Sequence, residues 1–146
     1  MAETRQHQRL VLALVRYLQR VGCEILAADA PGWPRTPLLG GRRPDVLAYY
    51  TIGGCMLAGE AKRGPEMWKA LAQLDSVAAA LPGWGPIGSG GLLILAVEPE
   101  WDAEARLLCS VVSRPRTFAT VWTPDVPSAP WPRTSVPGHN ALSIAE

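Results

Sequence analysis

Asp45, followed after fourteen intervening residues by Glu60 and then Lys62, has the residue types and spacing for divalent-cation chemistry. Two carboxylates can grip one cation between them, and a lysine beside them adds a third charged group to the patch. The intervening chain supplies the means of bringing these groups together. Asp45 to Ile52 and Cys55 to Lys62 are strand-like runs separated by Gly53-Gly54, a pair that supplies the positive φ angles of a two-residue hairpin turn. Such a turn pairs Ile52 with Cys55 and sets Asp45 opposite Lys62. Because side chains alternate along a strand, Glu60 and Lys62 share a face with Asp45, and Leu47 lies opposite Glu60. Diagonal neighbours in such a ladder are about 7–8 Å apart, a gap that two carboxylates can span by gripping one cation. On spacing alone, a cross-strand ion pair of Asp45 with Lys62, with Glu60 solvated beside it, is an equal alternative. The buried character of both strands favours a metal site, since burying two acids and a lysine is costly unless they are paired or bound to a cation.

The remaining elements must hold this hairpin in place. From Thr4 to Val21, Leu10, Val11, Leu14, Val15, Leu18 and Val21 recur on one helical face, and Gly22 stops the helix. Cys23 to Ala28 reads as a strand, and Pro31 to Gly41, with three prolines, reads as a loop. Pro65 suits the first position of a helix whose buried face is Met67, Leu71, Leu74, Ala78 and Leu81, ended by Pro82-Gly83. Leu92 to Val97 predicts a strand covered on both faces, Glu100 to Val112 a helix, and Thr117 to Trp122 a last strand. Strands alternating with helices after a hairpin imply an α/β fold with a mixed central sheet.

With 146 residues there is room for one compact domain, residues 1–122, and a Pro-rich C-terminal tail, residues 123–146, without regular structure. A hydrophobic fraction of 48% against 18% charged excludes a disordered chain. The longest apolar runs, such as Gly91 to Val97, are too short to span a bilayer, and Met1 to His7 is polar, so a cytoplasmic, non-membrane protein is expected. Cys23, Cys55 and Cys109, odd in number and widely spaced, read as reduced core residues. The net charge of +1 carries no global signal for nucleic acid, but Arg35, Arg42, Arg43, Lys62, Arg63 and Lys69 concentrate around the motif. Arg5, Arg9, Arg16 and Arg20 line the far face of the first helix and read as a solvated stripe, the alternative being a phosphate-contacting one. His7 and His139 read as surface residues rather than ligands, and Trp33, Trp68 and Trp84, near the proposed cleft, read as core packing or loop anchors, the alternative being stacking on unpaired bases.

Pro44-Asp45 followed by Glu60-Ala61-Lys62 resembles the motif of the PD-(D/E)xK nuclease superfamily, and the element order from about Arg9 to Trp122 resembles its core. The likeness in scale is to small Holliday-junction resolvases, which also place a Gly-rich basic loop before the motif, as Gly40-Gly41-Arg42-Arg43 does here. The resemblance implies a restriction-endonuclease-like core and a DNA endonuclease, possible roles being recombination and repair. It implies that Asp45, Glu60 and the backbone carbonyl of Ala61 hold Mg²⁺, with Mn²⁺ as a substitute, and that Lys62 handles the attacking water. Gln73 on the following helix would support the site; its other reading is an ordinary solvent-facing residue. Arg42, Arg43, Arg63 and Lys69 are the candidate DNA phosphate contacts. A homodimer is the economical arrangement for cutting two-fold substrates. Such relatives usually carry a glutamate on the first helix, whereas here Glu3 lies too far upstream and Glu24 falls in the next strand, so a single-metal site is expected. The alternatives are a catalytically silent nuclease-fold DNA-binding or assembly module, and a nuclease subunit active only beside a partner.

Overall fold

A computed structural model of the chain describes residues 2–52, 54–81, 90–112 and 116–124. The apolar stripe near the N-terminus forms α1, Ala2–Arg20, which buries Leu10, Val11, Leu14, Val15 and Leu18, while Arg5, Arg9, Arg16 and Arg20 remain exposed. Five strands follow: β1 (Cys23–Ala28), β2 (Val46–Tyr50), β3 (Cys55–Ala61), β4 (Gly91–Ala96) and β5 (Thr117–Trp122). They form one sheet in sequence order, antiparallel from β1 through β3 and parallel from β3 through β5. The parallel pairs need crossovers, which are made by α2 (Leu71–Ala80) and α3 (Asp102–Val112).

Alternation along the strands divides the core into two layers. Cys55, Leu57 and Ala61 of β3 and Leu92, Ile94 and Ala96 of β4 pack with α1. Met56 and Ala58 of β3 and Leu93 and Leu95 of β4 pack on the other side with Leu74, Val77 and Ala78 of α2 and Leu108 and Val112 of α3. The chain is thus an α/β domain with a mixed five-stranded sheet flanked by helices. Each fully buried leucine contributes about 1.5–3 kcal/mol, so these two layers are the main source of stability.

Three local expectations change. First, the β2–β3 turn is longer than two residues: Tyr50, not Ile52, pairs with Cys55, and the Gly54 N–H donates to the Tyr50 carbonyl at 2.8 Å. The chain reverses over Thr51 to Gly54, leaving Ile52 exposed, and the whole ladder shifts by two residues. Second, the segment after Gly64 begins as a 3₁₀ helix, Gly64–Ala70, before α2, and Val77 rather than the half-buried Leu71 completes its apolar face. Third, Pro99–Trp101 forms a 3₁₀ turn ahead of α3. Pro82-Gly83, Trp84, His139 and the Pro-rich tail beyond residue 124 lie outside the described residues. The three cysteines are buried and unbridged. Among the described residues, no helix is long and apolar enough to cross a membrane.

The long loop between β1 and β2 is tied down at several points. Leu39 is fully buried, and Gly40, at φ +60°, lies so close to α2 that a Cβ there would stand 2.5 Å from the Ser76 carbonyl oxygen. Only glycine fits that approach and that backbone angle.

Candidate metal centre

Asp45 lies immediately before β2, and its backbone N–H donates to the Gly59 carbonyl on β3 at 3.0 Å. Its side chain therefore meets the end of β3: the Ala61 N–H donates to Asp45 Oδ2 at 2.8 Å. Continuing the ladder one step beyond Val46 and Gly59 brings Asp45 level with Glu60 rather than Lys62. A slip of two residues leaves every side chain on its original face, so the acids and the lysine still converge.

Glu60 is fully buried on the α2 side of β3, the side that Met56 and Ala58 also face, and neither of its carboxylate oxygens finds an N–H or hydroxyl donor among the described residues. Burial pushes its carboxyl well above the ordinary glutamate range, and the Asp45 charge pushes it further; Lys62 offsets part of this. A buried carboxylate without donors is among the costliest groups a fold can hold, and a cation in contact with it removes that cost.

Lys62 follows β3, and its backbone N–H donates to the Ala96 carbonyl at 3.0 Å. Its ammonium donates to Gln73 Oε1 on α2 at 3.2 Å, which gives Gln73 a defined partner rather than a solvent-facing role. The cluster lies at the carboxyl end of the parallel strands β3 and β4, where α/β sheets characteristically leave room for ligands.

His7, expected at the surface, is instead half-buried against the acids: Nε2 lies 3.1 Å from Asp45 Oδ2. The Asp45 hydrogen bond holds the imidazole above its ordinary 6.5 against the opposing effect of burial. His7, Asp29 and Asp45 offer ligand atoms that all lie within 4.8 Å of one another, a group that could hold a metal ion. The signal for His7 was present in the chain: it precedes Leu10, Val11, Leu14 and Leu18 by three, four, seven and eleven positions, which puts it on the buried stripe. Asp29 follows Ala28, which pairs with Val46, and its N–H donates to the Asp45 carbonyl at 2.7 Å. That partner for β1 could not be assigned from spacing alone.

The basic candidates are not all gathered at the acids. Arg43 is, lining a cavity that also includes Asp45. Arg42 is exposed, and its backbone bridges to Leu39. Arg63 is half-buried with an ion pair to Glu66 at 3.9 Å. Lys69 lines a separate cavity of about 510 Å³ with Trp68, Leu71 and Val111, between α2 and α3.

No family model matches this chain, and no curated protein or solved structure matches it either. Fold and site together define an α/β domain whose central sheet carries acidic groups with the donor chemistry of a cation site at the carboxyl end of its parallel strands.

Proposed function

We propose that this protein is a metal-dependent DNA endonuclease with a restriction-endonuclease-like core, using Mg²⁺ with Mn²⁺ as a substitute. The observation that carries this is Glu60: a fully buried carboxylate without a donor, beside Asp45 and within the electrostatic reach of Lys62. An ordinary cross-strand ion pair would leave neither oxygen unsatisfied.

Asp45, Glu60 and the Ala61 carbonyl would hold the ion, with His7 and Asp29, which group with Asp45, as additional donors. Oxygen donors suit Mg²⁺, and an imidazole among them shifts preference toward Mn²⁺. A bound ion supplies Lewis-acid polarisation of a phosphate and offsets the charge that develops on it. Lys62 uses one ammonium proton on Gln73 and keeps two for a water or a phosphate oxygen. Gln73 thereby fixes where the ammonium points, a positioning role. Ala61 orients Asp45 by its N–H, so the carboxylate is aimed before any ligand arrives. Arg43 lines the cavity that Asp45 also lines and is the first of the expected phosphate contacts to meet the strand backbone. A second copy of the chain would serve two-fold branched substrates.

Incubation of the protein with branched, duplex and single-stranded DNA in Mg²⁺ or Mn²⁺ tests this. Cleavage is expected, abolished by chelation, with Glu60→Gln and Lys62→Ala each slowing it about 10²–10³-fold. Binding without cutting, unchanged in both variants, would instead identify a silent binding module. Cutting seen only in a reconstituted complex would identify a subunit that depends on a partner.

A further inference from the structure

Next to the acids, the β1–β2 loop walls a cavity of about 470 Å³ whose lining includes Gln8, Asp29, Trp33, Arg35, Arg43 and Asp45. This volume falls in the roughly 300–1,000 Å³ range of small-ligand clefts. Its lining combines an aromatic ring, two guanidinium groups and a side-chain amide, and Asp29 and Asp45 link it directly to the candidate metal donors.

The wall is built before a ligand arrives. The Trp33 N–H donates to the Ala30 carbonyl at 3.3 Å, closing a turn with Pro31 second and Gly32 third at φ +89°, the pattern of a type II turn. The Ala28 N–H donates to the Pro34 carbonyl at 3.0 Å, fixing the chain just after Trp33. Trp33 packs part of its side chain on the core and keeps the rest accessible. Arg43 Nη1 donates to the Thr36 carbonyl at 2.6 Å, and the Thr36 hydroxyl donates to the Pro44 carbonyl at 2.7 Å, so one guanidinium edge is anchored while other N–H groups remain for a ligand.

Resting on the nuclease reading above, we infer that this cavity is a subsite for one unpaired nucleotide of the DNA strand, its base against Trp33 and its phosphate at Arg35 and Arg43. A base inside a duplex has both faces covered by its neighbours and cannot reach a protein ring without leaving the stack. A single-stranded, frayed or flapped nucleotide presents that face freely, and stacking on an aromatic side chain binds it with little regard to sequence. The Gln8 amide supplies a donor and an acceptor to the base edge. The substrate class is therefore DNA with an unpaired segment at the point of attack rather than intact duplex.

Calorimetric titration of the intact protein in Mn²⁺ with thymidine 5′-monophosphate tests the subsite, alongside cleavage of flapped against blunt duplex DNA. Trp33→Ala and Arg35→Ala are each expected to weaken mononucleotide binding about tenfold and to lower the flap-to-duplex preference by a similar factor. Arg16→Ala, on the exposed stripe of α1, is expected to change neither. Arg35 is exposed, so its truncation leaves the fold intact and keeps the test decisive even if Trp33→Ala does not fold. DNA cleavage that proceeds with an unaltered flap-to-duplex ratio in Arg35→Ala would overturn the subsite and leave the nuclease standing. Mononucleotide binding that depends on Trp33 and Arg35, in a protein that cuts no DNA, would support the subsite and end the nuclease reading. No binding of the mononucleotide to the wild-type protein would overturn the subsite outright.

Discussion

β3 and β4 lie side by side at the centre of the sheet, and every residue of both is buried, yet they are made of different materials. β4 is apolar along its whole length, and helices cover both of its faces. At the same depth β3 carries Glu60, whose register partner on β4 is Leu95. Leu95 gives up its contact with water and gains packing; Glu60 gives up water and gains no donor. Equal burial therefore stabilises in one strand and costs stability in the other, and the second outcome is what sets an acid apart as chemistry rather than structure.

The contrast can be broken or sharpened by four measurements. Leu95→Ala should lose about 2–5 kcal/mol in denaturant unfolding, and a loss no larger than that of a surface residue would remove the distinction between the strands. Mn²⁺ at about one hundred times its dissociation constant should stabilise the wild-type protein by about 2.7 kcal/mol, an effect that Asp45→Asn should abolish. Without metal, Glu60→Gln should stabilise the protein at pH 8 by about 1–3 kcal/mol, since it removes a buried acid that folding disfavours relative to its ionised form in the unfolded chain. The smallest effect falls on Gln73→Ala, which should slow cleavage about two- to tenfold with little change in melting temperature, because Lys62 loses a neutral acceptor and not its charge.

The pH dependence of the metal-free protein carries the same contrast. Native Glu60 holds a proton in a range where the unfolded chain has released it, so stability falls as pH rises above the ordinary glutamate range. His7, raised above 6.5 chiefly by its bond to Asp45, adds stability that is complete below 6.5 and lost as pH climbs through its native value. Both effects make the protein more stable at pH 5.5 than at pH 8, and Glu60→Gln should flatten most of that difference in thermal melts.

Much of this arrangement was legible in the chain. The apolar stripe of α1 and the limits of β5, Thr117–Trp122, follow from periodicity and apolar content. The hairpin was misjudged by two residues because Gly-Gly favours a tight turn locally, whereas the actual reversal extends over Thr51 to Gly54. The face shared by Asp45 and Glu60 survived only because the error was even-numbered. The stripe of α1 places His7 on its inner face, but what could not be read was contact between distant segments: His7 meeting Asp45, β1 delivering Asp29, and the lack of a donor around Glu60 among the described residues. Those depend on how layers stack, and no local pattern encodes them.

The fit of Gly40 against Ser76 acts as a latch between the β1–β2 loop and the helix that carries Gln73. Pinned there and at Leu39, the mouth near Trp33 and Arg43 keeps a fixed outline. A visitor would have to match that outline, losing little freedom of the host as it enters, so selection there should act through shape at the moment of encounter rather than through remodelling afterwards.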